Sequence, residues 1–312
     1  MHLFDLERIK LLGSGFYGYV YLVKYNNKEY ALKVSYINDD EINNDNSNVK
    51  NELKINKTIF KKYPNQFSRL IKIDFKKDCD EITGKTNMRK FAKYHTCIYR
   101  LYSLVDTTWK NIDLSKFELK VKYSMFIQLY NIYNILEKND YVHGDILDKN
   151  IGIKYTTDEF LIINNKQIPT YGMYIQMIDY DMIVNKNTNI KQFKNKQTND
   201  RNGIISLMSD LKNTILDETL YEIGLDKRTI FYNNLRNMDI YLKYNKFLKN
   251  NLYLNDWIVL SFNPKIYKKL LNNYKLKNTE LYLPKLDIIN IIKLYNTEKI
   301  IDYLINKLEQ LK

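Results

Sequence analysis

The chain has 312 residues, of which 45% are hydrophobic and 14% aromatic, so it can bury a core and is not of the disordered class. Lysine and arginine number 49 against 36 acidic residues, and the net charge of +13 raises affinity for nucleic acid, anionic lipid or acidic substrates. The basic residues are spread along the whole chain without a nucleic-acid motif. A generally basic surface explains them equally well, and nucleic acid remains only a nonspecific partner.

The cellular compartment is inferred from the transmembrane, secretory and cysteine features of the sequence. No apolar run reaches the roughly 18–20 residues of a transmembrane helix, and residues 1–10 contain no secretory signal. Only Cys79 and Cys97 are present, without a Cys-x-x-Cys motif. We therefore expect free thiols in a reducing, cytoplasmic environment and a protein that is not secreted.

A glycine-rich segment lies near the N-terminus, at residues 12–18, and a β-prone run follows it at residues 19–23. Gly13, Gly15 and Gly18 carry no Cβ, so main-chain N–H groups there can approach phosphates. Strand patterns on both sides favour a hairpin lid over the strand-loop-helix of a dinucleotide fold.

After a predicted turn at Asn26-Asn27, residues 29–34 read as a second strand that places Ala31 and Lys33 on one face. A lysine on an apolar strand is costly unless its ammonium meets anions, so Lys33 is a candidate phosphate ligand. The helical pattern of residues 49–60 contains one acid, Glu52, which we expect to pair with Lys33.

The most informative segment is His143-Gly-Asp-Ile-Leu-Asp-Lys-Asn150. Its spacing from Asp145 to Asn150 is that of a phosphoryl-transfer catalytic loop, in which the Asp receives the substrate hydroxyl and the Asn holds a metal ion. An amphipathic helix is predicted upstream at residues 117–138, and a short strand downstream at residues 151–153. We expect His143 to hold the loop in place.

An apolar strand ends in two acids at Asp179-Tyr-Asp181. A carboxylate at a strand end beside the catalytic loop is where Mg²⁺ would be held.

Taken in order, these elements resemble the protein-kinase superfamily over residues 9–181. The resemblance implies an α+β, two-lobed protein-kinase-like fold with an antiparallel-sheet N-lobe (residues 1–104) and a mainly helical C-lobe (105–312) that diverges from about residue 220. It implies ATP and Mg²⁺ as cofactors, Asp145 as catalytic base with Lys33 and Glu52 in the catalytic set, and metal binding by Asn150 and Asp179. The ATP site would be formed by Lys33 together with Leu12, Gly13, Ser14, Gly15, Gly18, Val20 and Ala31.

Residues 141–146 and Tyr180 look most like the vaccinia-related and poxvirus-type serine/threonine kinases, and the 28 tyrosines with abundant Asn, Lys and Ile are typical of AT-rich genomes such as those of large DNA viruses. A viral protein, acting in the host cytoplasm or in the virion, is therefore expected. The His-Gly-Asp form also occurs in aminoglycoside- and choline-kinase-like enzymes.

Four departures from the family pattern bear on function. Gly144 replaces an Arg that reads a phosphorylated loop, which predicts activity independent of such phosphorylation. Asp181 replaces a Gly, where it either costs backbone freedom or offers a second carboxylate near the metal. Asn56 stands where an apolar residue is usual, and no Ala-Pro-Glu follows Asp181.

The leading hypothesis is a serine/threonine protein kinase with a protein substrate, for which the basic charge favours an acidic one. A small-molecule kinase and a pseudokinase binding module remain as alternatives. Substrate, regulation and oligomeric state stay open.

Overall fold

The computed structural model describes residues 1–14, 18–45, 47–77, 79, 96–208, 282–294 and 296–311. The chain divides into two compact units. The first comprises Met1–Ile112, Ile132–Leu161 and Pro169–Gln197, and the second Asp113–Asn131, Ile162–Ile168 and Thr198–Lys312. Gly15, and the part of the predicted divergent region from about 220 to 281, lie outside the described residues. No described helix is long and apolar enough to cross a membrane.

The first unit contains a five-stranded antiparallel sheet, which with the helices confirms the predicted α+β class. Its strands are β1 (Arg8–Ser14), β2 (Gly18–Tyr25), β3 (Lys28–Ile37), β4 (Leu70–Lys77) and β5 (Thr96–Ser103), arranged in the order β1-β2-β3-β5-β4.

The turn between β2 and β3 is set by Asn26 and Asn27, whose φ angles are 48° and 61°. A two-residue hairpin of type I′ needs positive φ at both central positions, and Asn tolerates this conformation better than most side chains. The turn fixes the pairing of Tyr25 with Lys28 and confirms the predicted hairpin.

The two faces of β3 differ, as predicted. Leu32 and Val34 are buried in an apolar core with Tyr99 and Leu101 of β5. Side chains alternate along a strand, so Ala31 and Lys33 lie on the opposite face. The sheet therefore separates an apolar core from a face that carries charge.

Cys79 and Cys97 belong to the same apolar core and form a disulfide, with their Cα atoms 5.7 Å apart. The expectation of free thiols is therefore wrong. The two cysteines are 18 positions apart in sequence, and the antiparallel pairing of β4 with β5 brings them within bonding distance. The predicted cytoplasmic location loses the support of free thiols and stays a prediction.

Three short helical segments precede β4: α1 (Asp39–Asn43), α2 (Asn48–Ile55) and a π-helical turn (Asn56–Phe60). Ser47 caps α2 by accepting a hydrogen bond from the backbone N–H of Lys50 at 3.3 Å. The predicted helix over residues 49–60 is thus present, with a change of helix type after residue 55.

The predicted catalytic loop lies between two small sheets. β7 (Tyr141–Val142) precedes the loop and pairs with β12 (Val184–Asn185). After the loop, β8 (Ile151–Tyr155) pairs with β6 (Thr107–Thr108) and with β11 (Met173–Met177). The chain enters and leaves the loop on strands, which fixes both of its ends. A further hairpin contains β9 (Phe160–Ile163) and β10 (Lys166–Pro169).

The longest described helices are α3 (Leu119–Lys138) and α4 (Ile190–Ser206), and the chain ends with α5 (Lys285–Leu294) and α6 (Thr297–Glu309). In the second unit, the buried carboxylate of Asp287 on α5 accepts hydrogen bonds from the hydroxyls of Tyr123 and Tyr303, and Lys307 lies 3.5 Å away. Burial of Asp287 is thereby compensated by three partners from α3 and α6.

Candidate functional site

The described residues of the glycine-rich segment are those before residue 15 and those after residue 17. Leu12, Gly13 and Ser14 end β1, and Gly18 begins β2. A Cβ at Gly13 would meet nothing within 4 Å, whereas one at Gly18 would lie 2.0 Å from the carbonyl oxygen of Val34. Gly18 is therefore required for the close approach of β2 to β3, and Gly13 borders open space.

Lys33 lies in the middle of the charged face of the sheet. Its cross-strand neighbours are Val20 on β2 and Arg100 on β5, while Ala31 faces Tyr102. Directly paired residues share a face, so Val20 and Ala31, expected beside a nucleotide base, lie on the same face as Lys33.

Two carboxylates hold the ammonium group of Lys33. Its Nζ lies 2.6 Å from Asp179 Oδ1 and 2.6 Å from Asp181 Oδ2. Asp179 has a φ of 63°, in the left-handed region that few non-glycine residues adopt. Burial acts to lower the pKa of Lys33, but the two carboxylates outweigh it and raise the pKa. Lys33 is therefore charged at neutral pH.

The predicted pair of Lys33 with Glu52 is wrong. Glu52 is buried on α2, where its Oε2 accepts a hydrogen bond from Arg100 Nη1 at 2.9 Å. Its Oε1 accepts a hydrogen bond from the hydroxyl of Tyr102. Both oxygens thus bind residues of β5. Arg100, the β5 neighbour that pairs with Lys33, takes the carboxylate of the helix.

Arg100 is the residue that sequence reasoning missed. Besides Glu52, its Nη1 lies 2.6 Å from Asp181 Oδ1, and its Nη2 donates to Ser35 Oγ at 2.7 Å. Burial acts to lower its pKa, but Asp181 and then Tyr102 and Glu52 outweigh this effect and raise it. The sequence does contain a signal for Arg100, because this residue, like Lys33, is a cation within an apolar strand.

Asp181 is the carboxylate that links the two cations. Burial would raise its pKa, but Arg100 and Lys33 hold the pKa of Asp181 well below its usual range. The cluster contains two cations, Lys33 and Arg100, and three carboxylates, those of Glu52, Asp179 and Asp181. One negative charge is left over, which favours a further cation at this site.

The predicted catalytic loop brings Asp145 and Asn150 together. Asn150 Nδ2 donates to the backbone carbonyl and to Oδ2 of Asp145, both at 2.8 Å. The backbone of the same asparagine is tied to the end of β11, since Ile178 N donates to Asn150 O at 3.1 Å. The loop is therefore fastened to the segment that leads into Asp179.

His143 holds the loop at residues 143–150 in place through two hydrogen bonds, as expected. Its Nε2 donates to the carbonyl of Ile178 at 3.0 Å, and its Nδ1 accepts from the backbone N–H of Asp145 at 3.3 Å. The ring also packs edge-on against Tyr180, with centroids 5.9 Å apart. One side chain thus connects the loop to the Asp179–Asp181 segment.

Gly144 occupies a position that admits no side chain. Its φ is 84°, and a Cβ there would lie 2.6 Å from Cδ of Lys196 and 2.7 Å from the carbonyl oxygen of Met182. Lys196 is buried on α4, and its ammonium group donates to the same carbonyl. The space beside the loop at Gly144 is therefore filled from α4.

Asn56 forms two hydrogen bonds with the main chain of the sheet. Its Nδ2 donates to the carbonyl of Leu70, and its Oδ1 accepts from the N–H of Leu70, both at 3.0 Å. The amide thereby pairs with the main chain at the start of β4. This contact joins the π-helical turn to the sheet through hydrogen bonds instead of apolar packing.

Within the described residues, no group of three or more His, Cys, Asp and Glu side chains could hold a metal ion by itself. The residues expected to bind Mg²⁺ are one carboxylate and one amide, which are both hard oxygen donors. Asp179 uses Oδ1 for Lys33, and among the described residues no hydrogen bond or ion pair involves its Oδ2. The donor types and the surplus negative charge fit a magnesium ion that keeps several waters.

No known family model and no curated protein sequence matches the chain.

Proposed function

We propose that the chain is an ATP- and Mg²⁺-dependent phosphotransferase, and that it acts as a serine/threonine protein kinase. The observation that carries the proposal is the combination of two contacts in one compact unit. Lys33 Nζ lies 2.6 Å from Asp179, and Asn150 holds the carboxylate of Asp145 at 2.8 Å. A buried cation, two acids and an asparagine in these relations are the parts that phosphoryl transfer requires.

Each residue has a defined task in this mechanism. The Lys33 ammonium contacts the α- and β-phosphate oxygens of ATP and offsets their charge. Asp145 accepts a hydrogen bond from the acceptor hydroxyl and receives its proton as the γ-phosphoryl group passes from the ADP oxygen to the acceptor oxygen. Asn150 and Asp179 would hold Mg²⁺, which neutralises charge on the phosphates when bound.

The test uses purified protein with labelled ATP and Mg²⁺, with casein and histone as protein acceptors. We expect Asp145→Asn and Lys33→Met each to slow transfer at least about 100-fold, which corresponds to roughly 3 kcal/mol of lost transition-state stabilisation. A transfer rate for Asp145→Asn equal to that of the wild type would refute the catalytic assignment. Metal-dependent ATP binding without any transfer would support a pseudokinase instead.

A small-molecule kinase is the second candidate, favoured by the short connection after the metal-binding segment. Only residues 182–189 separate Asp181 from α4, and the β12 strand lies within them. This connection leaves little chain for a surface on which a peptide substrate could dock. Transfer to small alcohols or aminoglycosides, with none to protein, would identify this function.

A further inference from the structure

Asp181 divides its two oxygens between two cations. Oδ2 lies 2.6 Å from Lys33 Nζ, and Oδ1 lies 2.6 Å from Arg100 Nη1. Its side chain is 13% exposed, whereas that of Asp179 is 40% exposed. Asp181 is thus the more enclosed of the two carboxylates that contact Lys33.

Arg100 gives Asp181 a fixed position. Arg100 on β5 is paired with Lys33 on the neighbouring strand β3. Its other contacts are Glu52 on α2 and Ser35 on β3. A guanidinium group is planar and rigid, so an oxygen held against Nη1, which also donates to Glu52, has little freedom. Asp181 therefore offers Lys33 an anion whose direction is set by three elements of the fold.

Glu52 is not available for this task. Its Oε2 is bound to Arg100 and its Oε1 to the hydroxyl of Tyr102. Releasing it toward Lys33 would leave the buried Arg100 with fewer anionic partners, which is costly. The helix carboxylate therefore acts on Lys33 only through Arg100 and Asp181.

We propose that Asp181, braced by Arg100, is the residue that positions Lys33 for the nucleotide phosphates, in place of the helix carboxylate Glu52. The inference rests on the proposed phosphotransferase function. Asp179 also contacts Lys33, but its free oxygen is reserved for the metal in that function. Asp181 has no role in metal binding in that function, and its contact with Arg100 can keep the ammonium group directed at the phosphates throughout turnover.

The experiment compares Asp181→Asn with Glu52→Gln, two replacements of a carboxylate by an amide of equal size. For each variant, the dissociation constant of ATP with Mg²⁺, the kcat and the KM for ATP, and the Tm are measured. We expect Asp181→Asn to weaken ATP binding about tenfold or more, because a misdirected Lys33 no longer meets the phosphates. Glu52→Gln should lower the Tm and weaken ATP binding less than Asp181→Asn does, because Glu52 acts on Lys33 only through Arg100 and Asp181.

Arg100→Lys serves as a second variant, which keeps a positive charge but loses the Nη1 group that contacts both Glu52 and Asp181 and the Nη2 group that donates to Ser35. We expect it to raise the KM for ATP less than Asp181→Asn does. If Asp181→Asn does not fold, this variant alone decides, and an unchanged KM would overturn the inference.

Two further outcomes count against the inference alone: an unchanged ATP dissociation constant in Asp181→Asn, or a larger loss in Glu52→Gln. A wild-type protein that neither binds ATP nor transfers phosphate would instead refute the proposed function.

Discussion

At the scale of single residues, His143 is defined by its two hydrogen bonds. The ring is fully buried, and the carbonyl of Ile178 can only accept, so Nε2 carries the proton. Nδ1 must then be unprotonated to accept from the N–H of Asp145. The neutral ring suits the loop, and a protonated ring would break the contact with Asp145. Burial, the largest cause, lowers the pKa of His143.

This pKa shift predicts a loss of stability in acid. The unfolded chain binds a proton at His143 near pH 6.5, before the folded chain does, so the free energy of unfolding falls as the pH drops through about 6.5. Chemical denaturation between pH 7.5 and 5 should show that the stability advantage of the wild type over His143→Asn shrinks as the pH falls. An advantage that stays constant over this range would contradict a neutral buried ring.

Gly144 makes a second prediction at this scale. Gly144→Ala forces a Cβ to within 2.6 Å of Lys196 and 2.7 Å of the Met182 carbonyl, at a φ of 84°. We expect urea denaturation to show a loss of about 1–3 kcal/mol from backbone strain and overpacking. Gly13→Ala is the matched control, because its Cβ would meet nothing within 4 Å. Equal stability of the two variants would mean that the position of Lys196 is not fixed.

At the scale of elements, the helical segment at residues 48–60 is attached to the sheet by polar side chains on two successive turns. Glu52 binds Arg100 and Tyr102 on β5, and Asn56 binds the main chain of Leu70 on β4. Polar contacts of this kind are directional, so they fix the rotation of the helix as well as its distance from the sheet. The orientation of Glu52 toward β5 follows from this rotation.

Asn56→Ala tests this attachment. It leaves the N–H and the carbonyl of Leu70 without their partners, and we expect the free energy of unfolding to fall by about 1–3 kcal/mol. Asn43→Ala on α1 is a suitable control, because the Asn43 amide makes an exposed hydrogen bond to the carbonyl of Asp39. The prediction fails if both variants unfold at the same denaturant concentration.

Local patterns predicted the elements of the first unit well. The hairpin at Asn26-Asn27, the strand with Lys33 and the helix with Glu52 all depend on residues close in sequence, whose periodicity and turn chemistry are visible in the chain. The five-position spacing of Asp145 and Asn150 is also visible in the sequence, although the hydrogen bond between their side chains is seen only in the structure. Each of these features is local.

The partners of the charged residues could not be predicted in the same way. Glu52 and Arg100 are 48 positions apart, and Lys33 and Asp179 are 146 apart. Glu52 is the expected partner of Lys33 when Lys33 is the one buried cation considered. The sheet places Lys33 and Arg100 side by side. The disulfide is not visible in the sequence for a similar reason, since the pairing of Cys79 with Cys97 depends on the register of β4 against β5.

At the scale of the whole molecule, the sign of the charge differs between the chain and its candidate site. The chain carries +13, while the buried cluster around Lys33 contains one more carboxylate than cations. A positive surface attracts polyanions such as nucleotides over distances up to about a Debye length. The cluster itself favours a cation, and in the proposed function these two charges would attract a nucleotide together with its metal ion.

The turn at Asn26-Asn27 also explains how the composition of this chain is compatible with its fold. Only nine of 312 residues are glycine, yet a tight hairpin needs positive φ at two successive positions. The turn between β9 and β10 likewise has asparagine at both central positions, Asn164 and Asn165, with φ of 49° and 59°. Glycine codons begin with two guanines and asparagine codons with two adenines. A gene drifting toward adenine and thymine can therefore exchange one for the other at such turns while the strands on either side keep their register.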